Sequence, residues 1–203
     1  MPLNLNVASG VYVEKNYVNL DNSIFLLLSH IPFIGLLLGR HKGQIEGYKK
    51  ARKETKVIRC DCSKKLPFQD GTVDHIFCSH FIEHLYQDKA KEVLSDFYRL
   101  LKVGGTAHII VPDIHSLASD YLSDKLTADE FVSQTILARE NHPSFILKTL
   151  IFLGFSGLNH NWMYDKKSLT KRLVEIGFTV LEENNTVSKD LVRNEGIHIV
   201  VKK

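Results

Sequence analysis

Residues 57–122 read VIRCDCSKKLPFQDGTVDHIFCSHFIEHLYQDKAKEVLSDFYRLLKVGGTAHIIVPDIHSLASDYL, and the reading of this stretch decides the fold. Val57 to Cys60 has a buried-strand pattern that runs into Asp61. The turn-rich Pro67-Phe68-Gln69-Asp70-Gly71 leads to a second strand, Val73 to Cys78, which runs into Ser79-His80. Apolar residues at helical spacing (Val93, Leu94, Phe97, Leu100, Leu101) predict a helix over 89–101 with Asp88 as its cap. Gly104-Gly105 then ends the helix, and Thr106 to Val111 forms another apolar strand that stops at Pro112-Asp113. Polar groups therefore collect past the C-terminal ends of successive strands, where open α/β sheets bind their ligands.

The rest of the chain extends this alternation. Leu3 to Val7 and Asn16 to Leu20 read as two earlier strands, with Asp21-Asn22-Ser23 as a turn or helix cap. Ile114 to Leu153 reads as largely helical with a break at Pro143, Lys166 to Ile176 as an amphipathic helix stopped by Gly177, and Phe178 to Glu182 and Gly196 to Val201 as closing strands. Strands alternating with helices predict a mostly parallel sheet with right-handed crossovers.

Length and composition narrow the class. A chain of 203 residues with 44% apolar and 24% charged residues is large enough for a full core and is not disordered. The formal charge of +3 gives no argument for a nucleic-acid partner. Cys60, Cys62 and Cys78 are odd in number, and two of them sit two residues apart on one predicted strand face. That suits reduced thiols in a cytoplasm. The first residues show neither a basic nor an apolar leader pattern. Ile24 to Leu38, IFLLLSHIPFIGLLL, is too short to span a bilayer, and a strongly basic stretch, 40–56, follows it. Residues 24–56 are therefore either a lid or crossover packed on the sheet or a peripheral contact with an anionic membrane at its inner face.

The motif order, D-x-x-x-x-LPF, S-H-x-x-EH, LK-x-GG and a strand ending VPD, resembles the second half of class I S-adenosylmethionine (SAM)-dependent methyltransferases. Within them it is similar to the methyltransferase type 11-like proteins predicted among cell-surface polysaccharide enzymes. Val103 stands where that pattern has proline. The resemblance implies one Rossmann-like, doubly wound α/β domain over 1–203 with strand order 3-2-1-4-5-7-6 and one antiparallel strand near the C-terminal edge. It also implies a helical insertion at 24–56 and a helical substrate-side cap at 114–165.

The same resemblance implies SAM as cofactor. LNLNVASG matches the first-strand motif and brings Asn6, Ala8 and Gly10 to the cofactor's amino-acid end; Ala8 replaces a glycine and disfavours the positive φ that such a turn wants. Asp21 and Asn22 fall where a carboxylate accepts the ribose hydroxyls. Asp61 and the Cys62 N–H fall at the adenine, and Ser79 and His80 beside the methyl donor. His80 is then the first choice for the base, His160 of the Asn159–Asp165 element the second, with Glu83 and His84 at the mouth of the site. Trp162, Tyr164, Asp113 and His115 are substrate-side candidates, and a saccharide or lipid-linked glycan precursor is the implied acceptor.

Other readings of the same residues remain. His80-Phe81-Ile82-Glu83-His84 has the form of an inverted zinc-protease motif, which would need a long helix and a third ligand. Some SAM methyltransferases hold a divalent cation with E-x-x-E-H here; His80 replaces the first carboxylate, so the pattern alone calls for no metal. A methyltransferase-like scaffold with a degraded first loop and a nucleotide-cofactor oxidoreductase are the other classes, the latter without its G-x-G-x-x-G fingerprint.

Overall fold

The computed structural model describes residues 2–37, 41–137, 159–181 and 196–203. Seven strands form a single sheet: β1 (Asn4–Val7), β2 (Val18–Asp21), β3 (Val57–Arg59), β4 (Val73–Ser79), β5 (Leu101–Val111), β6 (Thr179–Leu181) and β7 (Ile197–Lys202). Their order is β3-β2-β1-β4-β5-β7-β6, as the family resemblance implies. All pairings are parallel except those of β7, which is antiparallel to both β5 and β6.

Helix α4 (Gln87–Leu100) lays Val93, Leu94, Phe97 and Leu100 on one sheet face, and α7 (Lys166–Ile176) adds Leu169 and Leu173 beside them. Asp165 and Ser168 form a reciprocal cap at the start of α7, and Gly177 ends it with φ 115°. The α4 boundaries differ from expectation. Tyr86 occupies the N-cap position without a side-chain bond, and Asp88 lies inside the first turn, where its charge suits the helix dipole. Gly104-Gly105 do not end the helix either. Strand β5 begins at Leu101, and its pairing jumps from Val73–Leu101 to His75–Thr106, so the glycines form an irregularity within the strand. A Cβ on Gly105 would meet three backbone carbonyl oxygens at 3.0–3.1 Å, which explains why that position is glycine.

The apolar run breaks into two short helices, α1 (Ile24–Leu28) and α2 (Ile34–Leu37), which pack on α3 (Lys42–Glu54). Leu26 is buried on the α1 side, Ile45, Tyr48 and Ala51 on the α3 side, and Arg52 donates to the Ser29 carbonyl at 3.2 Å. The crossover reading thus describes this part of the segment, yet Ile31, Phe33 and Leu36 face solvent. None of the helices among the described residues is long and apolar enough to cross a membrane. Beyond β5, α5 (Ile114–Leu122) and α6 (Ala128–Thr135) pack together as the first part of the expected cap. The Pro143 break lies outside the described residues.

On the other sheet face His75, Phe77, His108 and Ile110 are covered, with Phe77 edge-on to His108. Burial lowers the His75 imidazole to about 4, and burial, helped by neighbouring His198 and His75, lowers His108 to about 4. Both rings bind a proton more weakly folded than unfolded. The unfolded chain therefore takes up more protons between pH about 6.5 and 4, and stability falls as pH drops through that window. Urea midpoints measured from pH 7 to 4 should show this fall, on the order of 1–3 kcal/mol per histidine, and His75→Gln and His108→Gln should flatten it.

Candidate active site

The loop after β1 adopts the turn that its altered sequence disfavours. Ala8 has φ 54° and Gly10 φ 56°, and nothing lies within 4 Å of where a Gly10 Cβ would be, so the loop borders open space there. Left-handed backbone costs an L-residue about 1–2 kcal/mol, which the surrounding bonds hold in place. Ser9 N–H donates to the Leu20 carbonyl at 2.9 Å, and the buried Asn6 amide donates to Tyr12 O at 2.8 Å and Asn19 Oδ1 at 2.9 Å. The Asn6 nitrogen therefore shapes the loop from below.

Asp21 is buried at the end of β2. Its Oδ2 accepts from Gly10 N–H at 2.9 Å, and its Oδ1 from Ser23 N–H at 2.7 Å and the Tyr48 hydroxyl at 2.9 Å. Of a carboxylate's roughly four lone-pair positions, one remains open. Burial, then the Asp21 charge, pushes the Tyr48 phenol up, so Tyr48 stays a donor to Asp21. Sequence reading missed Tyr48; its signal is the Ile45, Tyr48, Ala51 spacing that puts it on the buried face of α3. Asn22 accepts from Arg59 Nε at 3.1 Å and lies beside this site.

At the end of β3, Asp61 accepts from the Ser63 N–H at 3.1 Å and hydroxyl at 2.6 Å, and pairs with Lys64 at 3.0 Å. Burial pushes its carboxyl up, but these partners outweigh it and hold the group below its ordinary value. Asp61 thus caps its own turn while keeping a partly exposed oxygen next to the buried Cys62. The Leu66-Pro67-Phe68 turn is pinned to α4: Asp96 accepts from Leu66 N–H at 2.9 Å, and Arg99 donates to the Phe68 and Leu66 carbonyls. A surface groove of about 630 Å³ between this turn and α4 contains none of the predicted site residues.

The end of β4 is the most polar buried point described. His80 has φ 52°, and its N–H donates to Ile110 O at 2.9 Å, which turns the chain sharply off the strand into a single-turn 3-10 helix, Ile82–His84. No long helix carries H-x-x-E-H, so the protease reading loses its scaffold. The turn drives Glu83 inward to 0% exposure. The Glu83 carbonyl accepts from Asn161 N–H at 2.8 Å and Trp162 N–H at 3.0 Å, and the His84 carbonyl from the Asn161 amide at 2.7 Å. These bonds bring His160 into the site from 76 positions away in sequence (84 to 160).

There, Glu83 Oε1 lies 3.3 Å from His80 Nδ1 and 4.0 Å from His160 Nε2, ion-pair distances without hydrogen-bond alignment. The His84 and His160 rings meet edge to face at 4.9 Å. Burial lowers the His160 imidazole, partly opposed by Glu83. Ser79 Oγ, His80 Nε2 and both Glu83 oxygens are buried without a hydrogen-bond partner. On the substrate side, Tyr164 is fully buried in the core and Asp113 caps α5 by accepting from His115 N–H. Trp162 is 42% exposed, with the Arg172 guanidinium 5.9 Å from its ring centre. Of the two aromatic candidates only Trp162 presents a face to solvent.

Residues 40–109 match the family model described as methyltransferase domain. The PH0226 protein from Pyrococcus horikoshii OT3 shares the fold at TM-score 0.55 and 18% identity, over 98% of this chain and 80% of that one. A SAM-dependent methyltransferase from Archaeoglobus fulgidus aligns at TM-score 0.54 and 16% identity, over 100% of this chain and 86% of its own. One from Mesorhizobium loti aligns at 0.52 and 11%, over 99% and 90%. No curated protein matches the sequence. The chain thus shares the fold of these SAM-dependent methyltransferases, and within it residues 40–109 match the methyltransferase domain model.

Replacing Ala8 by glycine relieves the left-handed strain but loosens the unfolded chain. Ala8→Gly is expected to keep or raise stability, by at most about 1 kcal/mol, and to keep or improve SAM affinity. A large loss of either in denaturation and calorimetry would show that the loop does not adopt this turn.

Proposed function

We propose that the chain binds SAM in the crevice past β1, β2 and β3 and moves its methyl group to an oxygen or nitrogen nucleophile, with His80 taking the acceptor's proton. The observation that carries the reading is the pair of half-buried His80 and fully buried Glu83 at the end of β4, in which His80 Nε2 and both Glu83 oxygens lack hydrogen-bond partners. Bound SAM supplies an electrophilic methyl on a sulfonium. The loop around Ala8 and Gly10, with Asn6 beneath it, would meet its amino-acid end. Asp21, beside Asn22, would meet the ribose, and Asp61 with the Cys62 N–H the adenine; Ser79 would line the cofactor side. Glu83 is a positioning residue: a carboxylate 3.3 Å from Nδ1 favours a proton there and leaves Nε2 as the base. His160, nearly buried and turned toward Glu83, is the second candidate. Much of the rate would come from positioning the acceptor against the methyl group.

A saccharide or lipid-linked glycan acceptor is the finer reading. It rests on the resemblance and on the exposed Trp162 ring, since aromatic faces pack well on sugar rings. One observation favours a non-catalytic binding module instead: Tyr48 already occupies part of the Asp21 carboxylate. Calorimetric titration with SAM and S-adenosylhomocysteine separates the two. Binding is expected, and Asp21→Ala should weaken it by about 1–3 kcal/mol. Folded protein that gives no heat with either ligand would sink the enzyme reading.

The base is tested by single-turnover release of S-adenosylhomocysteine in the presence of nucleotide-sugar and lipid-linked glycan acceptors. His80→Ala should slow it by roughly 10²–10⁴ with SAM affinity nearly unchanged. Near-normal turnover would move the base to His160.

The α1–α2 tip supports peripheral attachment to an anionic membrane at its inner face. Phe33, held at φ 60°, is 77% exposed and Leu36 72% exposed, while α3 carries exposed Lys42, Lys50 and Lys53. Vesicles with anionic lipid should co-sediment the chain at low salt, and Phe33→Ser or added salt should release it, because screening acts within about 10 Å at 0.1 M. Recovery in the supernatant regardless of lipid charge would return the segment to a purely structural role.

A further inference from the structure

Three acceptor atoms converge on one buried point beside the proposed base. His160 Nδ1 lies 2.7 Å from the Thr135 carbonyl oxygen, and His84 Nδ1 lies 2.8 Å from the Asn159 carbonyl oxygen. A carbonyl can only accept, so each Nδ1 carries the proton, and in the neutral ring each Nε2 is left with a lone pair. A backbone carbonyl behind the ring is the support that metal-bound histidines usually have. The third group is Glu83, fully buried, with neither oxygen hydrogen-bonded. One ligand atom from each of Glu83, His84 and His160 lies within 4.8 Å of the others, and no other such group of three is found among the described residues.

Two imidazole lone pairs and a carboxylate repel one another at this range in a low-dielectric interior unless a positive charge joins them. His80 does not fill the gap, since its Nδ1 approaches only Oε1, at 3.3 Å. We propose that Glu83, His84 and His160 hold a divalent transition-metal ion, the histidines through Nε2 and Glu83 through a carboxylate oxygen. Two imidazoles and one carboxylate suit Zn²⁺, Co²⁺ or Mn²⁺ better than Mg²⁺, which prefers oxygen ligands and keeps its waters. Three protein ligands leave a coordination position for water or an acceptor oxygen, the arrangement of catalytic rather than structural sites.

The ligand set stands without the methyl-transfer reading; the use of the ion rests on it. An acceptor hydroxyl bound at the open position would be a stronger acid, and His80 Nε2 would receive its proton. The freed oxygen pair forms the new O–C bond while the S–C bond breaks. The sulfur keeps that electron pair and leaves as a neutral thioether, so no outside oxidant or reductant is needed.

The test uses the full chain, stripped with EDTA and dialysed, titrated with Zn²⁺ by calorimetry and with Co²⁺ by visible absorption. One equivalent of Zn²⁺ per chain is expected, with Co²⁺ giving the d–d bands of a low-symmetry nitrogen–oxygen site. His84→Ala, His160→Ala and Glu83→Gln should each weaken Zn²⁺ by more than about 100-fold, beyond the 10–100-fold typical of changes behind a ligand. His115→Ala, exposed and outside the cluster, should leave it unchanged. If a variant fails to fold by circular dichroism, the wild-type chain still decides the matter, because Zn²⁺ bound at this site must raise its thermal midpoint. A folded chain that takes up no Zn²⁺ and gives no Co²⁺ bands overturns the proposal, and so does uptake that survives all three substitutions. SAM binding without metal uptake would defeat the metal site alone, and metal uptake without SAM binding would defeat the methyl-transfer reading alone.

Discussion

The turn at His80 is the constraint on which the site depends. A β-strand that continued straight past Ser79 would carry Glu83 and His84 away from the crevice mouth. Instead, His80 adopts a left-handed conformation that costs an L-residue about 1–2 kcal/mol, and its N–H is held by the carbonyl of Ile110 on the neighbouring strand. The next three residues fold into one 3-10 turn, and Glu83 enters the interior. Its carbonyl then receives two N–H groups from residues 161 and 162, so one carbonyl sets both the burial of the carboxylate and the position of His160. Local strain kept in this way, and surrounded by buried polar atoms without hydrogen-bond partners, is typical of functional sites.

The ends of β1 and β2 are organised around Asp21 in a similar manner. The carboxylate ties together the loop after β1 through Gly10, the turn after β2 through Ser23, and the inserted helix α3 through Tyr48. A buried carboxylate needs such donors, and here they also fix the left-handed loop that contains Ala8. The insertion is therefore coupled to the crevice.

Much of the fold was legible in the chain. The alternation of short apolar strands with amphipathic helices led to the mostly parallel sheet, the family resemblance gave its order, and the amphipathic pattern with the Gly177 stop marked α7 to the residue. The missed boundaries have local causes. Leu101 to Gly105 reads as a helix end because its glycines look like a stop, yet pairing with Val73 captures Leu101 for the strand. Tyr164 reads as a surface aromatic in its motif, but its backbone bridge to Asp113 turns the ring into the core.

What the sequence by itself determined is the fold class: short strands read as ending near 7, 20, 60, 78 and 111 alternate with helices, which points to a mostly parallel sheet, and the family resemblance adds the strand order. It also singled out Asp21, Asp61, His80 and Glu83 as site candidates, because each lies at or shortly after a strand end. The tertiary structure decided which of these groups meet. That His160 and His84 face Glu83, that Thr135 and Asn159 carbonyls set their tautomers, and that Tyr48 reaches Asp21 depend on contacts between residues 25 to 77 positions apart. No spacing rule reaches that far, since periodicity assigns a residue to a face of its own element, and packing alone decides what that face meets.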